Sequence, residues 1–261
     1  MKHRKNLDIN IMVNLYNEGC NIAEIAEKCG CTRSWVSKCL KLKGVKIVRD
    51  YSKVRRNRIN RTNVNINFFK DINTEEQAYF LGMMFADGSV SKNQFYLKLK
   101  DEDVIIKFRD ALECDYPIRH NIHPYEDFIL EVSCKEMCED LIKLGCIPNK
   151  TKTLRFPNIK SELLNHFVRG YMDGDGCIRI GMTPGKDLFD IVSASYDFII
   201  DLKQILTPYT KHLGINKETN YDVWHLRCAG HQVKSLLNWV YKDSTVYMQR
   251  KYFKYQLISS R

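Results

Sequence analysis

The sequence predicts an α+β fold built as two similar halves, preceded by a small all-α domain. Three observations predict it. An apolar helix ending in Asp-Gly occurs twice, as "YFLGMMFADG" (79–88) and "HFVRGYMDGDG" (166–176). After each copy, alternating apolar and polar residues and amphipathic helices follow in a similar order. Ahead of both, residues 1–72 carry 16 Lys/Arg against 6 Asp/Glu, while the remainder carries 25 of each. The entire net charge of +10 thus lies in the first quarter of the chain.

Such a basic segment beside a balanced domain points to a polyanionic partner, nucleic acid first; a solubilising arm is the bland alternative. A chain of 261 residues holds one large domain or two to three small ones, and its 44% hydrophobic and 28% charged residues are an ordinary globular mix. No apolar run reaches the ~18 residues that span a bilayer. The opening "MKHRKNLDIN" lacks the apolar stretch of a secretory signal. An intracellular protein with no membrane partner is expected, its ten cysteines reduced.

The all-α domain is expected over residues 1–45. Ile9, Met12, Val13 and Tyr16 recur at helical spacing, and Ile22–Gly44 reads as two further helices around a turn at Gly30. Ala26 is small enough to let the next helix cross closely, and Thr32 is a good N-cap for it. Cys29, Cys31 and Cys39 occupy apolar core slots, and Cys-x-Cys is a poor zinc spacing. The pattern resembles the helix-turn-helix of resolvase-like and regulator DNA-binding domains. On that resemblance Arg33, Ser34, Ser37, Lys38 and Lys41 face a major groove; a solvated basic face is the alternative. Residues 46–72 follow as a basic linker containing Arg55, Arg56 and Arg58, either tracking DNA or acting as a tether.

The first apolar helix spans 75–86, with Thr74 as N-cap and Gly88 as a left-handed stop. The second runs from about Ser161 to Gly174 with Gly176 as its stop. Gly82 and Ala86 in the first match Gly170 and Gly174 in the second, small residues four apart on one face. Glycine inside a helix costs about 1 kcal/mol against alanine, so close backbone approach between two helices must compensate. If the helices pack in parallel, Asp87 and Asp175 meet at their negative ends. Two carboxylates and two dipole ends repel, and a hard divalent cation removes the conflict.

These two segments resemble the signature helices of the LAGLIDADG homing endonucleases, over residue 73 to about residue 256. The resemblance implies that Asp87 and Asp175 are catalytic and bind Mg²⁺ or Mn²⁺. The motif's other acidic position is Phe85 in one copy and Asp173 in the other, where it packs or caps rather than catalyses. Two motifs in one chain imply a pseudo-twofold monomer of two αββαββα halves, over 73–158 and 159–261. The motif acids lie 88 residues apart, which leaves room for such a half.

Within the first half, "NQFYLKLK" alternates, Asp101–Glu113 is an amphipathic helix, "YPIRHNIH" and "DFILEVSC" read as strands, and "KEMCEDLIKLG" closes as a helix at Gly145. Within the second, "CIRIG", "LFDIVSAS" and "YDVWHLRCAG" read as strands, with helices from Tyr196 to Leu213 and from Gln232 onward. The tail "KDSTVYMQRKYFKY" resembles a terminal helix common in the family. Two antiparallel sheets would form a saddle over double-stranded DNA, reading base edges through Gln94, Tyr96, Lys98, Lys100, Arg119 and His123 in one half and Arg179, His225 and Arg227 in the other. Each of these is equally readable as a solvated strand residue. Lys135 is the candidate assisting cation in the first half, or a surface residue. The implied activity is site-specific double-strand cleavage by metal-dependent phosphodiester hydrolysis. A non-cleaving DNA-binding regulator and a maturase acting on intron RNA are the alternatives on the same scaffold.

Overall fold

The computed structural model describes residues 9–45, 63–122, 126–148 and 150–261. The chain divides into a smaller unit, residues 1–61, and a larger one, residues 62–261. Arg55, Arg56, Arg58 and His123 lie outside the described residues.

The smaller unit contains α1 (Ile9–Asn17), α2 (Ile22–Lys28) and α3 (Arg33–Leu42). Asn21 caps α2 by accepting from the Ala23 and Glu24 amides, and the Glu24 side chain returns a bond to the Asn21 amide. Gly30 turns the chain at φ +61°, and Thr32 caps α3 through the Trp35 amide. Met12, Ile25, Ala26, Val36, Cys39 and Leu40 form the core, with Cys29 and Cys31 packed at its edge. Arg33, Ser34, Lys38 and Lys41 are exposed along α3, and Ser37 is half-buried.

The larger unit repeats one topology. Its first half holds α4 (Glu75–Ala86), β1 (Gly88–Val90), β2 (Phe95–Leu99), α5 (Glu102–Ala111), β3 (Ile118–Asn121), β4 (Asp127–Val132) and α6 (Lys135–Lys143). Its second holds α7 (Leu164–Asp175), β5 (Gly176–Arg179), β6 (Leu188–Ser193), α8 (Tyr196–Leu206), β7 (Gly214–Lys217), β8 (Trp224–Ala229), α9 (Gln232–Val240) and α10 (Gln249–Ser259). The antiparallel sheets run β1-β2-β4-β3 and β5-β6-β8-β7. Even the register repeats, Gly88 opposite Leu97 and Gly176 opposite Ile191. Each sheet turns one face to the helices: Phe95, Leu97 and Leu99 on β2, and Phe189 and Ile191 on β6, are buried.

The helices α4 and α7 run side by side in the same direction at the centre. A Cβ on Gly82 would strike the Phe167 carbonyl oxygen and stand 2.7 Å from the Tyr171 amide nitrogen. A Cβ on Gly170 would strike the Tyr79 carbonyl oxygen. Backbone touches backbone, which no larger residue permits.

Several expected boundaries shift. Residues 63–72 are not the end of a linker, because Phe68, Phe69 and Ile72 are buried in the core of the larger unit. Gly88 and Gly176 do not adopt the left-handed conformation. Gly176 is extended at φ −114° and leads straight into β5, as Gly88 leads into β1. Glycine is required there because a Cβ would lie 2.6 Å from Met84 Cα in one copy and 2.5 Å from the Met172 oxygen in the other. The helix from Tyr196 stops at Leu206, where a short 3₁₀ turn containing Pro208 follows. Residues 242–248 form an irregular strap before α10 rather than helix, because their backbone amides bond to side chains of α4 and α7.

Candidate active site and nucleic-acid interface

The parallel pairing of α4 and α7 brings their carboxyl ends together. A Cβ on Gly174 would touch that of Ala86 and stand 2.7 Å from Asp87 Oδ2, so the Asp87 carboxylate lies against the residue preceding Asp175. Asp87 is exposed and Asp175 half-buried. Tyr171, almost fully buried, donates its hydroxyl to the Val192 carbonyl at 3.0 Å. Burial, and then the nearby charges of Asp175 and Asp87, push its phenol well above the ordinary range. Both acids therefore act on one phenol. Asp175 also lines a cavity of about 60 Å³, bounded by Ala86, Thr151, Leu154, Tyr171 and Ser193.

These acids fit a hard cation by donor type, since both offer anionic oxygens and neither is fully buried. Among the described residues no group of three or more His, Cys, Asp or Glu could hold a metal.

Two polar faces extend beside the helix ends. On the first sheet Tyr96 and Lys98 of β2 point outward, paired across the strands with Glu131 and Ile129 of β4. Arg119 of β3 lies on the same face, opposite Ile129. Gln94 and Lys100, exposed, bracket β2. On the second sheet Arg179, His225 and Arg227 share the outward face, in register with Leu188, Val192 and Asp190. The cations there are not bare. Lys98 meets Asp127 at 2.8 Å, Arg119 meets Glu131 at 2.7 Å and Arg227 meets Asp190 at 3.0 Å. Lys135 begins α6 and pairs with Glu139 at 3.2 Å on an exposed surface.

Among solved structures, the I-LtrWI LAGLIDADG homing endonuclease bound to target DNA matches 75% of this chain and 91% of its own, with a TM-score of 0.50 and 13% identity. The fold is the LAGLIDADG homing endonuclease fold. I-SmaMI bound to uncleaveable DNA (TM-score 0.48, 12% identity, 69% of this chain and 87% of that one) and I-WcaI bound to its DNA recognition sequence (0.48, 11%, 72% and 90%) are further similar structures. No family model matches the chain. Two curated relatives come from Methanocaldococcus jannaschii. One is DNA-directed RNA polymerase subunit Rpo1C, 27% identical over 180 residues, 61% of this chain and 21% of that protein. The other is named "Probable translation initiation factor IF-2", 26% identical over 165 residues, 58% of this chain and 14% of that protein. The chain spans about a fifth or less of the curated relatives it matches, and their unrelated names do not transfer to it.

Within this LAGLIDADG fold, a buried polar ladder ties the signature helices together. Arg169, fully buried, donates to Glu75 Oε1, Val246 O and Val240 O. Glu75 also accepts from the Thr245 and Val246 amides. Tyr79 donates its hydroxyl to Asp173 Oδ2 at 2.8 Å, and the Met248 amide donates to the same oxygen at 2.8 Å. Asp173 is wholly buried, and that burial pushes its carboxyl up to about 6 despite Lys251 nearby. Its side chain holds the strap and faces no solvent, a packing and capping part.

Sequence reading misses Lys251 entirely. Lys251 is 4% exposed, and its ammonium donates to the carbonyls of Met172, Asp173 and Gly176 at 2.5, 2.7 and 2.7 Å. It thereby caps the negative end of α7 with a positive charge. Burial brings its pKa down to about 8, with Asp173 opposing that fall. Sequence offers no signal, since Lys251 is one cation in the run Gln249–Lys254. Arg169 leaves a fainter one, a charge inside the otherwise apolar "HFVRGYM". Lys251→Met should destabilise the larger unit by roughly 3–5 kcal/mol, the range for removing one side of a buried charge arrangement. A urea titration checks this, and an unchanged midpoint would contradict the capping role.

No helix among the described residues is long and apolar enough to cross a membrane.

Proposed function

We propose that this protein is a site-specific DNA endonuclease that makes double-strand breaks at a long target by divalent-metal-dependent phosphodiester hydrolysis. The observation that carries this reading is the meeting of Asp87 with the Gly174–Asp175 corner, open to solvent, at the end of two backbone-packed helices. Mg²⁺ or Mn²⁺ held by Asp87 and Asp175 would neutralise charge at the scissile phosphates and lower the pKa of a water. The protein's own part is positional. The backbone-packed helix seam sets both acids at the same end of the pair, and Lys251 offsets the dipole of α7 there. The polar faces of the sheets lay the duplex across both acids through Gln94, Tyr96, Lys98, Lys100 and Arg119 on one side and Arg179, His225 and Arg227 on the other. Lys135 assists in the first half; its exposed pairing with Glu139 is of a kind worth ~0–1 kcal/mol and is readily exchanged for phosphate.

In this reading the smaller unit is a helix-turn-helix that adds affinity through Arg33, Ser34, Ser37, Lys38 and Lys41 on α3, continued by Arg55, Arg56 and Arg58. The protein acts as a monomer, inside the cell, on double-stranded DNA.

Incubating the protein with Mg²⁺ and a randomised duplex pool, then sequencing new ends, tests the proposal. Breaks in both strands at one long site, abolished by chelation, are the expected result. Tight binding without any cut, with Mg²⁺ or Mn²⁺, would leave a DNA-binding regulator instead.

A further inference from the structure

The two signature helices differ at one position close to their acids. One turn before Asp175 on α7 stands Tyr171, and one turn before Asp87 on α4 stands Met83. Residues four apart share a helix face, so each of these side chains is the neighbour of its acid. Met83 is wholly buried and Tyr171 is 1% exposed. Apolar packing accounts for the thioether. It also accounts for the ring of Tyr171, whose centroid lies 4.6 Å from that of Phe198. It does not account for the hydroxyl, since phenylalanine would fill the same space and bring no polar atom to satisfy.

The surroundings of that hydroxyl do. It donates to the Val192 carbonyl at 3.0 Å, and the Asp175 carboxylate is a second acceptor within hydrogen-bonding reach. Ser193 stands behind it. The Ser193 oxygen accepts from the Ser195 amide at 3.2 Å, which leaves its proton for the phenol oxygen. Ser193, Tyr171 and Asp175 line the same cavity of about 60 Å³. A chain of donors thus runs from the second sheet to one of the two acids, and neighbouring hydrogen bonds in such a chain polarise one another. The backbone of Tyr171 is fixed in the helix seam, where its amide nitrogen would stand 2.7 Å from a Cβ on Gly82. The hydroxyl is therefore presented from a point that cannot follow the acid if the acid swings. Met83 gives Asp87 no such donor, because a thioether has no proton and is only a weak acceptor.

We propose that Tyr171 is a positioning residue: its hydroxyl, backed by Ser193, orients Asp175 for its cation, and the two acids are consequently unequal ligands. This rests on the metal-binding part of the proposed function.

Mn²⁺ binding to the full chain, followed by the electron paramagnetic resonance of the free ion, tests it without any cleavage. Tyr171→Phe keeps the ring and removes only the hydroxyl. It should weaken Mn²⁺ binding about 2- to 10-fold, the worth of one hydrogen bond. Asp175→Asn should weaken it more. Adding Tyr171→Phe to Asp175→Asn should change nothing further, because the hydroxyl acts through the acid. A loosened fold would instead lower affinity in both backgrounds alike. Strand-resolved single-turnover cleavage of a site selected by the wild type gives the second readout. Tyr171→Phe should slow one strand by a similar factor and leave the other at the wild-type rate. Where Mn²⁺ is held only with duplex bound, the strand rates decide alone. Additive effects on Mn²⁺ affinity would overturn the proposal, as would equal slowing of both strands. A wild-type chain that neither holds Mn²⁺ nor cuts any duplex would sink the proposed function itself. Metal binding and cleavage that ignore the loss of the Tyr171 hydroxyl sink only this inference.

Discussion

Asp175→Asn should reduce Mg²⁺-dependent cleavage at least ~10²–10³-fold, the loss typical when one preorganised charge-handling group is removed from a reacting centre. Asp87→Asn should do the same. Asparagine keeps the size and the helix end, so folding and DNA affinity should stay near wild type. Single-turnover cleavage, read beside gel-shift binding in Ca²⁺, separates the two effects. The structure makes binding loss an improbable confounder, since Asp87 is exposed and Asp175 half-buried, and neither lies within the apolar core. Cleavage at the wild-type rate by both variants would remove these acids from the chemistry.

The largest stability effect should come from Gly170→Leu. Helix propensity alone favours the substitution, because leucine is a far better helix former than glycine, by nearly 1 kcal/mol. Packing predicts the opposite sign. The first added carbon already collides with the Tyr79 carbonyl oxygen and stands 2.8 Å from its carbon. Neither atom belongs to a flexible side chain, so α4 and α7 must separate along their whole seam. A loss exceeding ~4 kcal/mol is expected, beyond the ordinary range for a point substitution. Gly214→Ala supplies the control, since the nearest atom to its added carbon is Asn216 Oδ1 at 3.7 Å. Urea unfolding of the two variants should differ strongly; a Gly170→Leu protein as stable as wild type would mean the seam is not held by backbone contact.

Much of this is legible in the sequence because it is local. Two glycine-bearing helices that end in Asp announce a close seam, and the strand alternation of β2 assigns its faces without coordinates. Thr74, expected as N-cap, accepts from the Gln77 amide while Gln77 returns the bond, a signal confined to four residues. What the sequence hides is set by distance along the chain. Arg169 finds Glu75 across 94 residues, and Lys251 reaches Gly176 across 75. Periodicity says which side of a helix is buried, but not which carbonyl waits there. The short strands β1 and β7 escape for another reason. Both are edge strands of three or four residues, too brief to show alternation, and on β7 only Ile215 is even half-buried. Gly88 and Gly176 are found correctly but for the wrong cause: steric contact with the preceding turn requires them, not a left-handed twist.

In the proposed function, the matched registers of the two sheets carry a consequence for a DNA target. Where one half presents Tyr96 the other presents Asp190, and Lys98 is replaced by Val192. A duplex laid over both meets a phenol and an ammonium in one arm, and a recessed acid and an isopropyl group in the other. Inverted-repeat DNA would offer each arm the same base edges and could satisfy only one. The sequence this protein fits best should therefore lack dyad symmetry, and the orientation in which it sits on the duplex should be unique.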